Sequence, residues 1–106
     1  MEIYKGNSVP ISIDAKYKDK TEYVFKQGDI VKLGIKKYLE DTKYVYEETK
    51  EITEGVAKVN FDIPPKETKK LLGNYVIESK LTYNNGKDVS TLFQEQFIVK
   101  GVVINE

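Results

Sequence analysis

Chemistry in this chain would have to run on carboxylates, lysines and tyrosines, because it contains neither histidine nor cysteine. Their absence removes the commonest general base, the commonest thiol nucleophile and nearly all zinc and copper ligand sets at once. Two acids suffice for glycoside hydrolysis, and Asp62, Glu67, Glu78 and Glu95 are the carboxylates open to that use. Nothing in their spacing sets two of them face to face at a productive separation, so no catalytic residue is assigned and no enzyme activity is expected. Asp14, Asp19, Asp29, Asp62 and Asp88 stand at or near loops and offer oxygen ligands of the kind calcium takes. Acidic loop residues are ordinarily solvated or engaged in turn hydrogen bonds, so no metal and no cofactor is assigned. Gly28 and Gly34 lie in or beside strands and neither opens a helix, which excludes a phosphate-binding loop of the nucleotide type.

Tyrosine is the residue type left with binding potential. Eight are present, and each offers a flat amphipathic ring suited to carbohydrate or protein contact. Tyr17, Tyr75 and Tyr83 fall on apolar faces and are expected to pack in the core. Tyr38, Tyr44 and Tyr46 cluster with Glu40, Asp41, Lys43 and Glu47, which makes them the candidate interaction surface, with a cell-wall glycan as one fitting partner. Basic and acidic residues number 17 each and are interspersed, so no basic excess exists to release counterions from nucleic acid and no polybasic patch exists to meet a membrane. The start Met1-Glu2-Ile3-Tyr4-Lys5-Gly6 has no signal-peptide character and no window is long and apolar enough to span a bilayer. Synthesis and folding in the cytoplasm, without secretion by a signal peptide, is the expectation, and the lack of cysteine suits a reducing compartment.

The elements that must position these residues are strands. A length of 106 residues fits one domain, 1–106, with one core. Alternation runs from Val9 to Tyr17 through Ile11, Ile13 and Ala15, and Tyr23-Val24-Phe25 leads into a turn at Gly28. Val31, Leu33 and Ile35 alternate with Lys32, Gly34 and Lys36. A weaker segment at Tyr44, Val45 and Tyr46, flanked by charge, suits a sheet edge. From Val56 to Ile63 the residues Ala57, Val59, Phe61 and Ile63 share a face, and Pro64-Pro65 stops the strand. A helical turn over Lys66 to Leu71 ends at Gly73. Tyr75, Ile77, Leu81 and Tyr83 then alternate with Glu78 and Lys80, and Asn84-Asn85-Gly86 predicts a hairpin whose type I′ turn centres on Asn85 and Gly86. Its partner strand covers Thr91 to Lys100 with Phe93, Phe97 and Val99 inward, which puts Glu95 on the same face and predicts a bulge or edge nearby. Val102-Val103-Ile104 closes the chain. Leu71-x-Gly73-x-Tyr75 has the form of a tyrosine corner, with Tyr75 anchoring the crossing loop through its hydroxyl. The expected fold is therefore an all-β, immunoglobulin-like antiparallel β-sandwich of about seven to eight strands. Its sheet edges and the tails Met1 to Gly6 and Val102 to Glu106 are a second possible contact site.

Two stretches carry a family likeness. Gln27-Gly28-Asp29 leads into Val31-Leu33-Ile35, and Glu54-Gly55-Val56 runs to Ile63-Pro64, followed by Glu67-Thr68 and Leu71-Leu72-Gly73-Asn74-Tyr75. Over roughly residues 23 to 100 the chain resembles the small immunoglobulin-like modules of phages and prophages of Gram-positive bacteria, including the N-terminal domain of baseplate upper proteins. The resemblance implies a virion structural protein, a tail or baseplate component or adaptor, whose partners are other phage structural proteins or itself as a homo-oligomer. It supplies no catalytic or cofactor residue, and the chain lacks the extended helices and receptor-binding head of longer baseplate proteins.

Overall fold

The structure is a computed structural model that describes residues 1–101. Strands take 55% of it and helix 4%, so the protein is all-β. Along the chain come β1 (Glu2–Tyr4), β2 (Val9–Ile13), β3 (Ala15–Lys16), β4 (Glu22–Tyr23), β5 (Ile30–Lys36), β6 (Tyr46–Glu51), β7 (Val59–Ile63), the turn of helix α1 (Pro65–Thr68), β8 (Gly73–Tyr83) and β9 (Asp88–Lys100). The closing strand expected at Val102-Val103-Ile104 lies outside the described residues.

Five strands form one sheet in the order β1-β9-β8-β5-β6, and β2-β7 and β3-β4 form two-stranded sheets. Pairing is antiparallel except at β1, where Glu2, Ile3 and Tyr4 lie opposite Ile98, Val99 and Lys100 in parallel. The large sheet is thus mixed, which corrects the wholly antiparallel expectation. β1 and β9 come from opposite ends of the described chain, so no tight hairpin dictates their relative direction.

Period-two alternation builds the interior. Val31, Leu33 and Ile35 of β5, Ile77 and Leu81 of β8, and Phe97 and Val99 of β9 turn inward from the large sheet. Val9, Ile11 and Ile13 of β2 and Val59, Phe61 and Ile63 of β7 bury the facing surface, paired so that Ile11 lies opposite Phe61. All belong to one buried cluster, with Phe25 fully enclosed in it.

Several local expectations are corrected. The strand drawn from Val9 to Tyr17 breaks at Asp14, because the chain leaves its partner β7 after Ile13 and takes β4 from Ala15 onward. Tyr17, past that break, is 55% exposed rather than core. The strand drawn from Val56 starts at Val59, and Ala57 is exposed, because Val56 is diverted into an isolated bridge with Phe25. Edge strand β6 begins at Tyr46, two residues later than the segment expected there, and the helical turn begins at Pro65, whose fixed φ suits a first turn.

Turn chemistry follows the residues that supply it. Asn85 and Gly86 carry φ of 57° and 83°, and the turn is closed by the Lys87 N–H on the Asn84 carbonyl at 3.2 Å. Ser79 lies opposite Phe93 but Lys80 opposite Thr91, which leaves Leu92 as the extra residue of a bulge. Thr68, fully buried, ties the N-terminal segment to α1: its hydroxyl accepts from the Gly6 N–H at 3.1 Å and donates to the Asn7 carbonyl at 2.8 Å.

Candidate functional site

The outward face of the large sheet holds the densest polar constellation. On β5 the residues alternating with the core are Lys32, Gly34 and Lys36, and the register sets Gly34 opposite Glu78 of β8, which is itself opposite Gln94 of β9. The connection from β5 to β6 folds back over this row. It is held at one end by the Asp41 carboxylate, which accepts the Tyr38 N–H at 3.1 Å, and at the other by the Val45 N–H on the Ile35 carbonyl at 2.7 Å.

Tyr44 is laid across Gly34 by that connection. A Cβ at position 34 would overlap the Tyr44 ring, so glycine is required here for close approach. The Tyr44 hydroxyl donates to Glu78 Oε1 at 2.7 Å, Gln94 Nε2 donates to Glu78 Oε2 at 2.8 Å, and Lys36 Nζ lies 3.1 Å from Glu78 Oε1. Burial leaves the Glu78 side chain 2% and the Lys36 side chain 9% exposed. Burial alone would raise the Glu78 pKa, but hydrogen bonds from Tyr44, Gln94 and Lys36 and the Lys36 charge together hold it below its ordinary value. Burial, and then the bond to Glu78, pushes the Tyr44 phenol up to about 12. Lys32 Nζ stands 4.4 Å from the centre of the Tyr44 ring and 2.8 Å from Glu47 Oε2. Tyr44, Glu78 and Lys36 at the centre of this cluster are thereby committed to one another, which locks the connection to the sheet.

Beside the lock an open cleft of about 550 Å3 runs between Tyr38 and Leu39 of the connection and Asn74, Tyr75, Gln94 and Gln96 of β8 and β9. Tyr38 is 58% exposed. Tyr75 accepts the Leu72 N–H on its hydroxyl at 3.1 Å and carries Lys37 Nζ 4.5 Å from its ring centre. The three tyrosines of the candidate surface are separated by the fold: Tyr38 rims this cleft, Tyr44 lies half-buried over Gly34, and Tyr46 turns its ring toward the core while its hydroxyl donates to Glu48 at 3.1 Å. Leu71 is buried and Gly73, with φ of 97°, opens β8.

A second cleft, of about 420 Å3, gathers Tyr17, Tyr23 and Tyr83 beside Asp29 and the Asn84-Asn85 turn. Tyr23 meets Tyr17 edge-on at 5.4 Å and Tyr83 at 6.4 Å. Sequence reasoning missed this group because it carried Tyr17 into the core along an unbroken strand. Alternation set Lys36 and Glu78 on the polar faces of their strands and gave no sign of the connection that covers them. The one signal that could have found the lock was a glycine, Gly34, inside an otherwise strong strand, which marks a close approach.

The carboxylates weighed for hydrolysis are dispersed. Glu78 is enclosed in the lock, Glu67 lies 3.4 Å from Lys70 Nζ, Glu95 is half-exposed 3.9 Å from the Met1 amino group, and Asp62 is exposed on β7. Of the aspartates weighed for calcium, Asp19 caps the Thr21 N–H, Asp29 is buried under the Tyr23 hydroxyl and the Lys26 N–H, and Asp88 accepts from Asn84. Among the described residues no three acidic side chains converge to hold a metal ion. Comparison with protein-family models, with curated proteins and with solved structures finds no match to the chain.

Proposed function

We propose that this chain is a non-catalytic, immunoglobulin-like interaction module that assembles with other subunits, as a component or adaptor of a phage or prophage tail or baseplate. The observation that carries the reading is the outer edge of β9. That strand runs thirteen residues, yet β1 covers only Ile98 to Lys100. The N–H of Ile98 and the carbonyls of Gln96 and Lys100 bond to the N-terminal segment. By alternation, the backbone groups of Gln94 and, beyond the bulge, of Thr91 and Val89 also turn outward, away from β8.

The two edges of the sheet differ in kind. Edge strand β6 carries Glu47, Glu48, Lys50 and Glu51, the charges that guard an edge against pairing. From Val89 to Gln94 the β9 edge reads Val-Ser-Thr-Leu-Phe-Gln, with no charge and no proline. Such a segment suits strand addition by another chain. The bulge at Leu92 divides the edge into two short stretches, which favours a defined register over indefinite extension.

The immunoglobulin-like assignment is supported by strand order. β5, β8 and β9 lie side by side as C, F and G do in that fold, while β2 pairs β7 as B pairs E. Tyr75, three residues into β8 after the α1 crossing, bonds back to Leu72 as a tyrosine corner does. The likeness of residues 23 to 100 to phage modules supplies the particle.

The test is solution mass by light scattering across a wide concentration range at low and high salt, for the wild type and Thr91→Pro. The exposed, outward N–H of Thr91 takes no part in the β8 ladder, so proline there blocks the edge and spares the fold. A discrete oligomer, or a stoichiometric complex with an adjacent tail protein, that Thr91→Pro dissolves is the expected result. A chain that stays monomeric and binds no such protein refutes the assignment, and so does an assembly indifferent to Thr91→Pro.

A further inference from the structure

We propose that the cleft between Tyr38 and Tyr75 is a binding site for a neutral oligosaccharide, beside the β9 edge. Its volume of about 550 Å3 falls within the ~300–1,000 Å3 span of small-ligand sites. Its chemistry is specific in three respects.

First, it offers aromatic surface that the fold does not consume. Tyr38 is exposed, although the Asp41 carboxylate binds its N–H and its own carbonyl receives the Asp41 N–H at 3.1 Å. The ring is thus displayed on a backbone fixed at both its polar groups, which lowers the ordering cost of a stacking contact. Tyr75 also borders the cleft, but its ring packs against the core, pinned by Leu72 through its hydroxyl and covered by Lys37, so Tyr38 alone supplies the stacking face.

Second, the polar groups facing the cleft are amides with capacity to spare. Among the described residues the side-chain amides of Asn74 and Gln96 make no hydrogen bond, and Gln94 spends only its Nε2, on Glu78. Each amide donates and accepts, as a sugar hydroxyl does. Gln94 and Gln96 stand on one face of β9, about 7 Å apart at two residues of strand rise, so they reach successive hydroxyl groups along an extended ligand.

Third, the lining of the cleft carries no net charge, since its charged residues are one lysine, Lys37, and one glutamate, Glu95. Lys37 Nζ donates to the Asn74 carbonyl at 3.0 Å and sits over the Tyr75 ring, and Glu95 lies 3.9 Å from the Met1 amino group. A lone lysine offset by a glutamate makes a poor seat for a phosphate or a sulfate, and a lone carboxylate makes a poor one for a metal. An extended peptide would seek unpaired backbone groups, whereas the floor here is made of side chains rising from β8 and β9, which are paired to each other. A free stacking face beside neutral two-way hydrogen-bonding groups matches a pyranose ring.

The assay is nuclear magnetic resonance of the 15N-labelled full chain, titrated with the β-1,4-linked N-acetylglucosamine tetramer, a β-1,4-linked glucose hexamer and the peptide Val-Ser-Thr-Leu-Phe-Gln. The expected result is a saturable shift of the Asn74, Gln94 and Gln96 side-chain amide signals with at least one glycan, with a dissociation constant of about 0.1–1 mM. Tyr38→Ala, at an exposed position, weakens it about tenfold or more, and Gln96→Ala weakens it with the Tyr38 signals unmoved in the free protein. Absence of shifts at about 10 mM of either glycan, shifts indifferent to both variants, or movement of these signals by the peptide instead overturns the proposal. The glycan-induced shifts at Asn74 and Gln96 and the response to Tyr38→Ala do not depend on whether the β9 edge assembles, whereas Gln94 belongs to both surfaces.

Discussion

Replacing Glu78 by glutamine keeps the shape of the buried side chain and removes its charge. In the wild type one carboxylate answers three donors, Tyr44 Oη at 2.7 Å, Gln94 Nε2 at 2.8 Å and Lys36 Nζ at 3.1 Å. Glutamine leaves the Lys36 ammonium, 9% exposed, without a counter-charge, and turns an NH2 toward at least one of the other donors. Breaking a buried pair from one side costs about 3–5 kcal/mol, a large share of the ~5–15 kcal/mol that keeps a domain folded. The thermal midpoint should fall by about 12–20 °C at ~4 °C per kcal/mol. Urea unfolding is the assay, read as a lower midpoint concentration at unchanged slope. The double variant Lys36→Met/Glu78→Leu removes both charges, and it should recover to within about 1.5 kcal/mol of wild type. Because the folded-state pKa of Glu78 is held below the ordinary glutamate value, its stabilisation is full above that ordinary value and is lost as pH falls through the folded pKa. The wild type therefore loses stability on acidification below that value more steeply than the double variant does. A Glu78→Gln cost under about 1 kcal/mol, or a double variant no better than the single one, would refute the account of the lock.

Two further substitutions probe the elements that place the site. Gly34→Ala drives a methyl group into the Tyr44 ring and should cost about 1–3 kcal/mol in urea unfolding, and adding Tyr44→Ala should relieve the overlap, so equal loss in single and double variants would refute the close approach. Thr68→Val removes a hydroxyl that serves Gly6 and Asn7 at once, which should cost about 1–3 kcal/mol and speed amide exchange in β1, while unchanged exchange there would show that the hydroxyl does not hold the N-terminal segment.

Strand identity was legible wherever alternation ran uninterrupted between turn residues. Val31, Leu33 and Ile35 declared β5, and Asn85-Gly86 declared the β8-β9 hairpin, because a single local rule governs each. What the sequence did not disclose were decisions taken between distant segments. Nothing in Asp14 announces that the chain trades β7 for β4 there, and Tyr17 is exposed for that reason. The burial of Glu78 and Lys36 was hidden because alternation assigns a face but cannot tell whether a connection later folds over it. Tyr38, Tyr44 and Tyr46 are close in sequence, yet one lines a cleft, one closes a lock and one turns inward, since the connection reverses direction between them.

The parallel pairing of β1 with β9 has a mechanical consequence. The two strands point the same way, so tension applied through the ends of the described chain slides them past one another. The bonds between Met1 and Gln96, Met1 and Ile98, and Lys5 and Lys100 then bear load together, whereas an antiparallel pair pulled from its open end parts one bond at a time. Resistance to stretching is set by the rate of unfolding under load rather than by equilibrium stability. This short clamp of three residues on each strand can therefore make the protein stiff along its own axis without adding much to its resistance to heat.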